Sequence, residues 1–365
     1  MGSAGTPRLA SRLVGCCARS RSFAAAVGLA DRALPARPDL LTVLTYHRVD
    51  EPQRRPDLYP GLISATPDEL DHQLAFLSTH RHLLSLSELS DAQAGRSSVP
   101  PSSVLVTFDD AYLDFAEHAW PLLQRHRVPV TLFVPTGYPD QDSKTFWWDR
   151  LHHALTTTPA RARFGTPAGP VALGSPEERS AAYKLVRGHL KAQPHEEAMA
   201  RVEELTAALD APPPAPAVLG WDALRDLAAA GVTMAPHSRT HPMLDRIPAA
   251  ALDDEVTGSL VDLEREVGPT ARAFAYPSGQ FDDTVVGSLA DAGFALGFTT
   301  ERGNNDLRQP DWLRLRRVNV GSSTTVALLR AQLLPVRLPP RRPWVSGRRH
   351  PRPPAQPARA RSLRS

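Results

Sequence analysis

Seven short apolar runs, separated by amphipathic stretches, restrict the fold of this chain more than any other feature. They fall at 41–46, 103–108, 130–134, 232–236, 272–276, 294–299 and 313–320. Several are apolar at consecutive positions, as expected of strands covered on both faces. Helical patterns lie between most of them, one beginning at Pro67 and others at 113–126, 221–230, 248–267, 283–292 and 324–334. Thr66 is placed to cap the helix that Pro67 opens. Gly231 and Gly293 follow two others, where a left-handed residue commonly ends a helix. This alternation predicts an α/β fold around a parallel sheet, with a barrel only slightly preferred over an open sheet.

Between Trp148 and Trp221 the alternation stops. Helical patterns near 178–209 are followed by the proline-rich run 211–217. The expectation is a helical insertion, about 150–218, over one end of the barrel. The body is assigned to 38–335. Residues 1–37 hold six Arg and one Asp, and 336–365 hold nine Arg, seven Pro and no acid. Both ends are expected to be disordered basic tails. They leave 27 basic and 38 acidic residues in 38–335, a net of −11. Such a body lacks the basic face that nucleic-acid binding needs. No run of 18 apolar residues suggests a transmembrane segment. The leader lacks the firm apolar centre of a secretory signal. That slightly favours the cytoplasm, while leaving association with the cell envelope open. Two adjacent cysteines, Cys16 and Cys17, exclude a disulfide scaffold and a cysteine zinc site. Oligomeric state is not legible.

Four constellations can carry chemistry. Asp109-Asp110 ends the second apolar run, where α/β barrels build their sites. Carboxylates there are paired, metal-bound or capping a helix. His237-Ser-Arg-Thr-His241 follows the fourth run. Two imidazoles and a carboxylate make a facial metal site with open positions. Arg272 opens the fifth run and can fork onto a carboxylate. His47 ends the first run at the same mouth, in either a catalytic or a structural role.

Together these motifs resemble the polysaccharide deacetylase family, carbohydrate esterase family 4. The resemblance covers about 40–320 and rests on Leu44-Thr-Tyr-His47-Arg-Val, Val106-Thr-Phe-Asp109-Asp110-Ala-Tyr, Phe146-Trp-Trp-Asp149, His237-Ser-Arg-Thr-His241-Pro and Phe274-Ala-Tyr-Pro277-Ser-Gly. It includes the chitooligosaccharide deacetylases of nodulation. It implies a deformed (β/α)7 barrel, a divalent metal, usually zinc, and removal of acetyl groups from an acetylated glycan or amino sugar. By resemblance Asp110, His237 and His241 hold the metal, Asp109 is the general base, and Arg272 holds Asp109 in place. His47 is the best local candidate for the proton donor. Tyr276, Pro277, Trp147 and Trp148 are candidates for substrate contact, although two tryptophans on an insertion helix are as often core.

Two positions depart from the family pattern. Ala111 stands where glycine is usual, which strains the turn if φ is positive there. The family's late Leu-x-His is not evident; the last run reads Leu313-Arg-Leu-Arg-Arg-Val318. Two rival functions stay open: a glycan-binding barrel with little or no activity, and an amidohydrolase of a small non-sugar amide.

Overall fold

A computed structural model describes residues 20–334 apart from 36, 38, 142, 143 and 160–162. The expected tail at 336–365 and the first 19 residues of the leader lie outside the described residues. Seven strands build the centre: β1 Leu40–Tyr46, β2 Ser103–Asp109, β3 Val130–Val134, β4 Thr233–Pro236, β5 Ala273–Ala275, β6 Leu296–Arg302 and β7 Leu315–Asn319. Their order is β5-β6-β7-β1-β2-β3-β4, and every neighbouring pair is parallel. The sheet curls until β4 and β5 lie side by side. That seam carries no ladder, so the (β/α)7 barrel is deformed at one place, as expected.

The inside is filled by every second residue of each strand. Leu41 and Val43, Leu105, Phe133, Ala235, Ala273 and Ala275, Leu296 and Phe298, and Leu315 form one buried cluster. The intervening residues Leu44, Tyr46, Val104, Val106, Phe108, Val130, Leu132 and Val134 pack outward under the helices. Two residues beyond Leu105, Ala235 and Leu315 along the same faces come Thr107, His237 and Arg317. The apolar filling therefore gives way to a polar layer at the carboxyl ends of the strands.

Eleven helices are used below: α1 Arg21–Ala33, α2 Pro67–His80, α3 Leu86–Gln93, α4 Trp120–Arg125, α5 Trp147–Thr157, α6 Pro176–Leu190, α7 His195–Ala208, α8 Trp221–Ala229, α9 Leu252–Val267, α10 Asp283–Asp291 and α11 Val326–Gln332. Thr66 caps α2 as expected and Glu69 completes a capping box. Gly231 and Gly293 have φ of 105° and 78°. The insertion consists of α5, a hairpin at 163–172, α6 and α7, around its own apolar cluster.

The leader departs from expectation. Residues 21–33 are not a disordered stretch but helix α1, capped by Ser20. Asp31 accepts from Arg81 and Arg330 at 2.7 Å each, tying α1 to the end of α2 and to α11. Val27 is buried in the same contact. An arginine-rich composition concealed an amphipathic helix whose one acid has two partly buried partners. No described helix is long and apolar enough to cross a membrane.

Candidate active site

Each site residue sits at or just beyond the carboxyl end of a strand. Asp109 is the last residue of β2, Asp110 follows it, and His237 follows β4. Asp110 and Ala111 adopt φ of 73° and 50°. This left-handed turn aims the two carboxylates in different directions. Ser238 and His241 also have positive φ, 61° and 58°. Such strain needs outside support. Glu255 on α9 supplies it, accepting from the backbone N–H of Arg239 and Thr240 at 2.9 Å each. Ser238 Oγ accepts from His241 N at 3.0 Å.

Asp110, His237 and His241 are all buried, and one potential ligand atom from each lies within 4.8 Å of the others. Asp110 Oδ1 is 3.6 Å from His237 Nε2 and 3.3 Å from His241 Nε2. Two ligands of a tetrahedral zinc stand about 3.4 Å apart, given bonds of about 2.0–2.1 Å. Asp110 Oδ1 is buried with no hydrogen-bond partner. His237 Nδ1 lies 2.7 Å from Ala275 O and donates to it, so Nε2 keeps its lone pair. Burial pushes the pKa of His237 down, and burial and His237 push His241 well down. Both rings are therefore neutral, as ligation requires. Burial, Asp109 and Asp149 push Asp110 well up, so its ionised form calls for a nearby cation. The donor set fits a divalent metal.

Asp109 is built differently. Arg317 Nη1 and Nη2 donate to its two oxygens at 2.8 and 2.7 Å. Burial acts to raise Asp109, but Arg317, His237 and His47 outweigh it and bring the pKa down to about 2. Asp109 is thus an ionised carboxylate 4.0 Å from His237 Nε2. The expectation that Arg272 holds it is corrected. Arg272 lies outside β5 at the surface and pairs with Glu264 at 3.3 Å. The signal for Arg317 was its parity: it stands two residues after Leu315, which fills the barrel interior.

A family model, described as polysaccharide deacetylase, matches residues 96–297, more than half of the chain. The chain belongs to the polysaccharide deacetylase family. It is accordingly a carbohydrate deacetylase. The match spans Asp109, Asp110, His237 and His241 but ends before Arg317. Solved structures share the fold. The Streptococcus pyogenes deacetylase PplD, solved with acetate, is 20% identical, with a TM-score of 0.55 over 82% of this chain and 100% of its own. IcaB from Ammonifex degensii is 20% identical, with a TM-score of 0.53 over 81% and 97%. A Bacillus cereus polysaccharide deacetylase is 17% identical, with a TM-score of 0.54 over 80% and 69%. Comparison with curated protein sequences returns no significant match.

The other expected residues of the deacetylase are placed as follows. His47 does reach the site, and its backbone N–H donates to Ser64 Oγ at 2.9 Å. Burial brings its pKa down to about 4; Asp109 opposes this, while Arg317, His237 and Lys191 reinforce it. The carboxylate that would keep His47 charged is already held by Arg317. A neutral imidazole is a poor donor to a departing amine, which counts against the expected role. Trp147 and Trp148 are only 8% and 6% exposed and belong to the insertion core, the second of the two roles the sequence left open. Trp148 packs edge-on against His241, with ring centroids 4.8 Å apart. Its Nε1 donates to Tyr112 Oη, which donates to Asp149 Oδ2 at 2.7 Å. The aromatic motif thus braces a metal-ligand candidate from behind. Tyr276 is buried and its hydroxyl donates to Leu313 O at 2.8 Å, which removes its side chain from substrate contact. Pro277 is buried as well.

Ala111 has the positive φ that its position implies, so the missing glycine does leave strain. Its methyl is fully buried in the outer core, which offsets part of it. Two contributors escaped sequence reasoning besides Arg317. Glu255 braces the histidine loop from α9, and Lys191, just past α6, donates to Ser278 on the turn after β5. Neither lies in a motif.

Proposed function

We propose that this deacetylase removes N-acetyl groups from an acetylated amino-sugar glycan, with a divalent metal, best zinc, held by Asp110, His237 and His241. The observation that carries the reading is the unpartnered Asp110 Oδ1 facing two neutral imidazoles, beside an Asp109 kept ionised by Arg317. When bound there, a divalent cation supplies a Lewis acid for the acetyl carbonyl and makes water more acidic.

The chain's own residues do the rest. Asp109 takes the proton of the attacking water on a carboxylate lone pair that Arg317 leaves free. Arg317 fixes the carboxylate plane through its two parallel hydrogen bonds. Ala275 O fixes the His237 tautomer, and Trp148 fixes the plane of His241. Phe146 and Trp148 of the insertion cluster both pack edge-on against the His241 ring.

The test pairs metal analysis of the purified protein with acetate release from N-acetylated and O-acetylated glycans. Stoichiometric zinc, with release mainly from N-acetylated oligomers, is the expected result. Activity that survives complete metal removal, or release from small non-sugar amides alone, would overturn the reading.

A further inference from the structure

The barrel of this deacetylase lacks the late histidine, and its one nearby spare imidazole, His47, is neutral. A different cation stands over the same space. Lys191 follows the last turn of α6 and its N–H caps that helix on Arg187 O. Lys191 Nζ donates to Ser278 Oγ at 3.2 Å, on the turn after β5. The lysine charge acts on Asp110, His47 and His241, which stand at the ends of β2, β1 and β4. Ser278 thus holds the ammonium on the turn after β5, at the same carboxyl-end mouth of the barrel as Asp110, His237 and His241. Among the described residues it forms no ion pair, although its side chain is largely enclosed.

The residue type adds an independent argument. The chain has 42 basic residues, of which three are lysine, Lys144, Lys184 and Lys191. Its ion pairs use arginine, with a few histidines. Arginine cannot release a proton at physiological pH, whereas lysine can. One of these three lysines stands at the mouth of the site, bonded to Ser278.

We propose that Lys191 is the catalytic proton donor to the leaving nitrogen, delivered by the insertion and not by the barrel. The proposal rests on the deacetylase reading above. Burial, with Arg187 beside it, brings the pKa of Lys191 down to about 8, against the opposing pull of Asp110. The ammonium thus persists at neutral pH and gives up its proton more readily than an ordinary lysine. The step balances. The attacking water leaves one proton on Asp109 and its oxygen on the acetyl carbon. The C–N bond breaks, its electron pair stays on nitrogen, and nitrogen takes the proton from Lys191 Nζ. Acetic acid and the free amino sugar depart. Solvent returns a proton to Lys191 and removes one from Asp109.

Lys191→Met and Lys191→Arg are compared with the wild type on an N-acetylglucosamine oligomer and on an activated aryl acetate, with zinc content and thermal midpoint measured on each. Both variants should lose about 10²-fold or more in kcat on the oligomer. The aryl acetate, whose leaving group departs without a proton, should lose less than about five-fold. Zinc content and midpoint should be unchanged. Wild-type turnover of the oligomer should also fall as pH rises through about 8, and that of the ester should not. Rescue by Lys191→Arg would overturn the proposal, because the charge alone would then suffice. Equal losses on both substrates, loss of zinc, or no loss at all would overturn it too. A wild type inert on acetylated glycans would sink the deacetylase reading itself, and the proposal with it.

Discussion

Arg317 and Asp109 meet across the barrel interior from β7 and β2, with β1 between them, joined by hydrogen bonds of 2.8 and 2.7 Å. Their side chains are 0% and 2% exposed. Removing the arginine leaves a buried carboxylate without a partner. Arg317→Met should therefore destabilise the protein by about 3–5 kcal/mol and abolish most activity. Arg272→Ala should change stability by less than about 1 kcal/mol, because its pair with Glu264 is at the surface. Urea unfolding and acetate release on both variants check this. The reverse ranking would restore Arg272 as the support of Asp109.

The same pair sets an acid limit. The folded pKa of Asp109, about 2, lies below the ordinary 3.8. A depressed carboxylate contributes stability in full above about pH 4 and loses it as pH falls through 2. The contribution is on the order of 2 kcal/mol. In Arg317→Met burial dominates and the pKa rises, so the sign reverses: stability falls as pH rises through the new value. Urea midpoints from pH 2 to 7, measured in chelator on both proteins, should diverge as the pH climbs. Parallel curves would refute the assignment.

The metal prediction follows from the donor atoms. His241→Ala should abolish stoichiometric zinc binding and activity, while far-UV dichroism stays native. Chelation should lower the thermal midpoint of the wild type but not of the variant. Unchanged zinc affinity in His241→Ala would eliminate this ligand set.

Ala111→Gly weighs two known magnitudes. A non-glycine residue at positive φ costs about 1–2 kcal/mol. The buried methyl contributes about 0.8 kcal/mol, and glycine's chain entropy opposes the change by about 0.5–1 kcal/mol. The terms nearly cancel, so stability should move by less than about 1 kcal/mol and turnover should not fall. A large drop in turnover would show that the methyl itself positions Asp110.

Helix α1 packs at the amino-terminal end of the strands, where Asp31 shares a small cleft with Leu40, Ser102 and Ser103. A chain beginning at residue 38 should lose some stability, because Arg81 and Arg330 lose their part-buried carboxylate partner and Val27 its packing. Its kcat should stay within a few fold, because the site is at the opposite end of the barrel. A large fall in kcat with unchanged stability would contradict this placement.

The strands were legible because a covered parallel sheet writes itself as consecutive apolar residues, and 130–134 matches β3 at both ends. The acid and imidazole motifs were legible because each site residue borders such a run. Arg317 was hidden among Arg314 and Arg316, where composition suggests a solvated edge and only alternation with Leu315 points inward. Lys191 carried no local signal, since the packing of α6 over the barrel brings it to Ser278. For the two tryptophans the sequence left substrate contact and core both open, because it shows their size and not their burial with Tyr112 and Phe146.

His237 spans the unladdered seam: its backbone N–H extends the β3–β4 ladder to Val134 O, while its ring reaches Ala275 O on β5. The imidazole that would grip the ion is thus also the clasp of the cylinder. Breathing at that seam and escape of the ion become one motion. Slow amide exchange along β4 and β5 should therefore report how firmly zinc is retained, with no substrate present.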